Sequence, residues 1–275
     1  MKSRPAPGSR WPEAPLRAAR SRLRRAARYG LKRALGLAAA LAILIALWAL
    51  AAAAVGRPFL PSPGKAFAAL ARRLADGSLL PHVAASARRV GLALIVAAPS
   101  ASLLGLAAGR SRRLDSLVSP FVYILHPLPK VAFLPVIMLF LGLGDAAKVT
   151  LIGLVIFGQL MVAARDAGKA VPAPLIDTLK AMGAGKAAVL AHVVLPYALP
   201  SLFTALRIGL GTSVAVLFIA EGFASESGLG WYVMDAWTRV DYPDMYAAIV
   251  ALSVFGLACY SATDAAEGLV CRWNR

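Results

Sequence analysis

PLIDTLKAMGAGKAAVLAHVVLP, residues 174–196, stands out in a 275-residue chain that is 59% hydrophobic and only 16% charged. Ile176, Leu179, Met182 and Gly183 recur at helical spacing, and Val189, His192, Val193 and Pro196 do so again. Two short amphipathic helices are therefore expected, meeting at Gly183-Ala184-Gly185, where glycine permits a tight turn and close approach by another backbone. A helical loop of this kind either docks a partner in a groove or rests on its own bundle. Gly183-Ala184-Gly185-Lys186 resembles the end of a phosphate-binding loop. However, Lys180 stands where that motif needs its first glycine and Ala187 where it needs Ser or Thr, so it is not read as an ATP site.

On either side of this segment the chain is apolar for long runs. A bilayer core takes about 20 residues of helix, and six runs qualify, at approximately 34–55, 90–109, 117–141, 149–164, 202–222 and 246–266. The domain reading is a basic tail over residues 1–33 and a membrane domain over 34–271, with the helical loop at 165–197. The first run is longer than a signal-peptide core and follows an unusually long basic lead, so it is read as a membrane helix. Between the first two runs, Leu60-Pro61-Ser62-Pro63 opens a segment with room for an interfacial helix.

Charge orients these runs. The net charge is +17, and 11 of the 30 Lys and Arg residues fall within residues 1–33. With the N-terminus inside, 20 basic residues lie on the cytoplasmic side. Eight lie opposite, together with Glu221, Glu226, Asp235, Asp241 and Asp244. The positive-inside rule then places both termini in the cytoplasm and residues 165–197 with them. The tail is read either as a solvated topological signal or as a basic helix on anionic lipid, not as a nucleic-acid arm. The composition excludes disorder and a disulfide scaffold; Cys259 and Cys271 have no metal-type or redox-type spacing.

Catalytic and metal patterns are lacking in the sequence. His82, His126 and His192 sit in different segments without ligand spacing, Gly142-Leu143-Gly144 lacks the third glycine of a dinucleotide fingerprint, and no cofactor is expected. The third apolar run contains His126-Pro127-Leu128-Pro129-Lys130. Two prolines within three residues remove two backbone donors, so the helix should unwind or kink there. Irregular backbone at membrane depth needs cover from protein or a watery cavity. Pro127, Pro129 and Lys130 are accordingly either the lining of a translocation path or a packed kink. Lys130 either faces that path and attracts a small anion, or snorkels or pairs with a neighbouring helix. Arg207 reads as a headgroup or loop contact, and Glu221 as a cap or ion-pair partner at the outer end. The remaining outer acids either orient a partner or solvate the loop.

The segment first quoted resembles the EAA loop of permease subunits from bacterial ABC importers. Its pattern is Glu-Ala-Ala, three residues, Gly, nine residues, then an aliphatic residue, any residue and Leu-Pro. Here Asp177-Thr178-Leu179 stands for the triplet, followed by Gly183, Val193, Leu195 and Pro196, so the triplet departs while the glycine, spacing and Leu-Pro are kept. Further likeness to the nitrate, sulfonate and taurine branch runs over roughly residues 58–270. It lies in Leu60-Pro61-Ser62-Pro63, in the run from Pro127 to Pro135, and in Phe140-Leu141-Gly142-Leu143-Gly144. It continues in Leu195-Pro196-Tyr197-Ala198-Leu199-Pro200 with Arg207, and in Ala220-Glu221 with Gly228-Leu229-Gly230.

The resemblance implies an all-α integral membrane protein, a six-transmembrane-helix permease bundle of the ABC type I importer kind with a cytoplasmic coupling helix, resident in the bacterial inner membrane. It also implies a second permease copy, an external solute-binding protein, and cytoplasmic ATPase subunits that carry the hydrolytic machinery, so that this chain is not itself an enzyme. The solute would be a sulfonate, taurine, nitrate or similar anion. Asp177, Thr178, Leu179, Gly183, Leu195 and Pro196 would couple the loop to the ATPase. The rival classes are a lipid-modifying membrane enzyme, which requires a polar catalytic cluster at the membrane surface, and a scaffold whose tail binds lipid or nucleic acid, which leaves the loop unexplained.

Overall fold

A computed structural model describes residues 35–36, 38–125, 127–223 and 225–274. The basic tail 1–33, His126 and Arg275 lie outside them. Contacts divide the chain after Pro63. In the leading unit α1 (Ala38–Val55) is apolar and almost wholly exposed, with Leu44, Leu47 and Leu50 uncovered. The Trp48 indole N–H donates to the Pro61 carbonyl at 3.1 Å, closing the turn that follows α1.

The main unit is helical, with no strand among the described residues. After α2 (Pro63–Ala75), α3 (Leu80–Arg110) and α6 (Asp145–Ala170) form its central pair. Successive turns of α3 carry Ala93, Ala97, Ala101, Gly105 and Gly109, one small residue every four, the spacing that presents a single face. That stripe meets α6 so closely that a Cβ on Gly105 would lie 2.5 Å from the Met161 carbonyl oxygen, and one on Gly109 2.3 Å from that of Arg165. Close backbone approach through small residues is how membrane helices gain packing without a hydrophobic drive. α9 (Leu195–Gly222) also packs on α6, and Leu151, Ile152, Ile156, Leu210 and Leu217 share one core with Val90, Ala93 and Ala97 of α3. α10 (Leu229–Thr238) and the first half of α11 (Tyr242–Val270) close a smaller core around Leu79, Leu229, Tyr232 and Ala248.

Among the described residues five helices are long and apolar enough to cross a membrane, and a bent pair makes up to six. The bent pair is α4 (Arg112–Leu125) with the segment Lys130–Leu141, which is a 3-10 turn (Lys130–Phe133) leading into α5 (Leu134–Leu141); its two arms meet at 87°. Pro127 and Pro129 occupy the corner. α3 begins ten residues before the apolar run at 90–109, because Arg89, which ends a hydropathy window, is neutralised by folding partners and continues the helix. Its 31 residues span about 46 Å, well beyond a hydrocarbon core of about 30 Å.

Candidate functional site

The loop between the fourth and fifth spans is built from α7 (Ala173–Ala181), a turn, α8 (Lys186–Val189) and a π-turn (Leu190–Val194) that runs straight into α9. The second helix of the loop is thus not a separate short element but the leading end of a 37-residue helix, Lys186–Gly222. The π-turn has a local cause. Leu195 donates back to the Leu190 carbonyl, and Pro196, lacking an N–H, cannot restore the ordinary ladder beyond it. The inserted residue shifts the buried face, so that Val189 is followed by Val194 and then Ala198, while His192 turns to solvent.

α7 ends in a Schellman cap. The Gly183 N–H donates to the Lys180 carbonyl at 2.9 Å and the Ala184 N–H to that of Leu179 at 3.1 Å, while Leu179 and Ala184 pack against the same core. This motif puts its terminal residue in the left-handed region, and Gly183 has φ +86°. A Cβ there would meet nothing within 4 Å, so within this chain the glycine is required by conformation and not by packing. Ile176, 2% exposed, is driven into the core beside Val189 and Val194, and Leu179 is partly buried there. Met182, expected on the same apolar face, instead points outward at 79% exposure, together with Leu175 and Asp177. The Thr178 hydroxyl donates to the Pro174 carbonyl at 2.8 Å and leaves no outward donor. Leu195 is exposed at the π-turn and Pro196 is half-buried. The loop is therefore clamped to the bundle by one face and leaves a second exposed, carrying Leu175, Asp177, Lys180 and Met182.

At the corner of the third span Pro127 and Pro129 are exposed, and Lys130 is half-buried. The Lys130 side chain lies along α6 at Gly158, where its Cε is 3.4 Å and its Nζ 3.8 Å from the position of an added Cβ.

The opposite end of the main unit holds a polar cluster that the sequence does not announce. Glu221, fully buried, accepts from Arg89 at 2.6 Å, from the Ser86 hydroxyl at 2.8 and 2.9 Å, and from the Gly230 N–H at 2.9 Å. Arg89 also donates to the Ser227 carbonyl at 2.8 Å and to Asp145 at 2.7 Å. Both glycines of Gly228-Leu229-Gly230 are required. A Cβ on Gly228, which has φ +114°, would sit 2.3 Å from the Glu221 carboxyl carbon, and one on Gly230 2.6 Å from the Phe218 carbonyl oxygen. One clamp thereby fastens α3, α6, α9 and the start of α10. Glu221 and the Gly228–Gly230 pattern are visible in sequence; Arg89, 132 residues away from Glu221, carries no local signal and counts only as an outer charge.

Smaller networks tie the remaining helices. Arg207 bonds Asp264 at 2.6 Å and Glu267 at 2.8 Å, so it joins α9 to α11 instead of meeting a lipid headgroup or a loop. Asp115 of α4 holds Arg165 at 2.5 Å and Lys169 at 2.7 Å on α6. Of the outer acids, Asp244 holds Arg73 at 2.5 Å, so it is a structural partner of α2 and not loop solvation. The hydrogen bond to Asp244 pushes the Arg73 guanidinium above its ordinary value, and burial, then the Asp244 charge, raises the Tyr232 phenol. Asp235 pairs with Arg239, while Glu226 is exposed. Among the described residues no three His, Cys, Asp or Glu side chains gather as metal ligands.

Residues 101–273 match the family described as the binding-protein-dependent transport system inner membrane component. The chain is 31% identical over 241 residues to the taurine transport system permease protein TauC of Escherichia coli, covering 85% of this chain and 88% of that protein. It is 27% identical over 235 residues to the putative aliphatic sulfonates transport permease protein SsuC of Bacillus subtilis, covering 85% of each. Among solved structures, a chain of the inward-facing MetNI methionine ABC transporter aligns with a TM-score of 0.57 at 21% identity, over 70% of this chain and 94% of that one.

Proposed function

The chain belongs to the binding-protein-dependent transport system inner membrane component family, and from that premise we propose that it forms the translocation path of an importer for taurine or related aliphatic sulfonates. It is a multi-pass permease subunit of an ABC importer in the inner membrane, not an enzyme, and it works with ATPase subunits and a solute-binding protein. In the proposed arrangement two copies of the chain pair to enclose one path, both termini are cytoplasmic, and the basic tail meets anionic lipid. The corner at Pro127, Pro129 and Lys130 borders the path. The likeness to the taurine and aliphatic sulfonate permeases supports the solute class.

The observation that carries the coupling role is the two-faced loop. Ile176 and Leu179 anchor α7 while Asp177, Met182 and Gly183 stand outward. A partner ATPase that grips the outward face moves the helix through its anchored face, and beyond the Schellman turn at Gly183 the chain is continuously helical from Lys186 into α9. Displacement of α7 therefore enters the fifth span at the π-turn, where Leu195 and Pro196 set the angle. π-turns within helices commonly mark such functional joints. An ATP-driven change in the ATPase dimer would thereby bias the bundle between two states.

Uptake in cells tests the reading. Expressed with the ATPase and binding protein of its own system in a strain lacking endogenous taurine import, the chain should support accumulation of radiolabelled taurine that excess unlabelled alkanesulfonate suppresses. No accumulation of either compound would refute the solute class.

A further inference from the structure

An open pocket of about 510 Å³ lies beside the Glu221 clamp. Arg89, the turn residues Leu143 and Gly144, and Lys148 in the first turn of α6 line it, with Ser225 and Glu226 from the segment between α9 and α10. The volume suits a small ligand with its water, since such sites run from roughly 300 to 1,000 Å³. The charges on its walls are of two kinds. The Arg89 guanidinium is already held by Glu221, Asp145 and Ser227. Lys148 is 2% exposed, and its ammonium donates to the Leu143 carbonyl at 3.0 Å. Among the described residues no carboxylate stands at ion-pair distance from it, and the two inner acids that act on it through space, Asp145 and Glu221, are both bonded to Arg89. Glu226 also acts on Lys148 through space, is exposed, and makes no ion pair among the described residues. One pocket thus holds a buried cation and an acid that face the same space without touching, and a buried cation is costly until a counter-charge reaches it.

Such a pair of charges sorts small molecules by what they carry. A molecule with only an acid group meets Lys148 but is repelled by Glu226. One with only an amine meets Glu226 but is repelled by Lys148, and one with both satisfies both. We propose that this pocket binds a small zwitterion, its acid group on Lys148 and its ammonium on Glu226. The inference rests on the transport reading for the kind of acid: in a sulfonate permease the zwitterion is an aminoalkanesulfonate. The pocket therefore selects taurine over alkanesulfonates that lack the amine. Arg89, neutralised by its own partners, shapes the wall and adds no free charge.

The test uses the permease assembled with its ATPase in nanodiscs of phosphatidylcholine, without binding protein, with radiolabelled ligands and with empty nanodiscs as the blank. Taurine should bind about tenfold more tightly than ethane-1-sulfonate, its counterpart without the amine, and ethylammonium should bind no better than ethane-1-sulfonate. Glu226→Gln, on an exposed side chain, should abolish the preference by weakening taurine about tenfold without weakening ethane-1-sulfonate. Lys148→Gln, which keeps a donor for the Leu143 carbonyl, should weaken both sulfonates about tenfold. Equal affinity of wild type for taurine and ethane-1-sulfonate, or an unchanged preference in Glu226→Gln, would overturn the pocket even where cells accumulate taurine. The expected binding pattern in a chain that accumulates no taurine would instead uphold the pocket and refute the transport reading.

Discussion

Gly183 and Glu221 show two different reasons for which a single residue is fixed. At Gly183 the constraint is the backbone: a left-handed cap that L-residues enter at a cost of roughly 1–2 kcal/mol, surrounded by open space. Asn tolerates this conformation, whereas Arg combines the strain with bulk on the face proposed to meet the ATPase. Gly183→Asn should keep uptake within about threefold of wild type, and Gly183→Arg should lower it more than tenfold at equal protein in the membrane, each read from initial uptake rates. Equal loss in both would assign the effect to strain alone. At Glu221 the constraint is electrostatic. Removing one partner of a buried ion pair strands the other, a loss of about 3–5 kcal/mol. Arg89→Ala or Glu221→Ala should therefore lower the thermal midpoint of the detergent-solubilised protein sharply, whereas Lys65→Ala, on an exposed side chain, should not. Similar midpoints in all three would show that the clamp contributes nothing. Gly183 was legible, because a glycine between two amphipathic stretches marks a turn. The Glu221 partner was not, because ion pairs between helices separated by more than a hundred residues leave no periodicity.

Among the elements, the long apolar runs were the most legible and their ends the least. A hydropathy window stops at charge, whereas α3 continues through Arg88 and Arg89 because both reach Asp145 and the latter also Glu221. The two prolines at the corner of the third span foretold a break, and the arms there stand at 87°. What pattern reading missed was the π-turn. Helical spacing counted onward from Val189 placed His192 and Val193 on the buried side, and one inserted residue moved those places to Val193 and Val194. The α3 and α6 pair makes a sharper element-level prediction. Since a Cβ on Gly109 would collide with the Arg165 carbonyl oxygen and the Gly168 Cα, Gly109→Leu must part the two helices. It should lower folded yield and thermal midpoint, while Gly91→Leu, on the same helix with open space around it, should leave both near wild type. Indistinguishable midpoints for these two variants would contradict the packing described for the pair.

For the whole molecule, the +17 charge and the apolar composition separate into two roles. The apolar excess is the helical bundle, and in the proposed topology most of the positive charge lies on the cytoplasmic side. That orientation predicts labelling. In a chain with Cys259 and Cys271 replaced by serine, a cysteine at Met182 should react with a membrane-impermeant maleimide only from the cytoplasmic side, and one at exposed Trp237 only from outside; the reverse pattern would invert the topology. The most direct measurement is made in proteoliposomes holding the permease with its ATPase, ATP within the lumen and binding protein with radiolabelled taurine outside. Wild type should accumulate taurine only when ATP is present, and Gly183→Arg should hydrolyse ATP without accumulating it. Accumulation without ATP, or undiminished accumulation by Gly183→Arg, would contradict the account of a permease driven through the loop at residues 174–196.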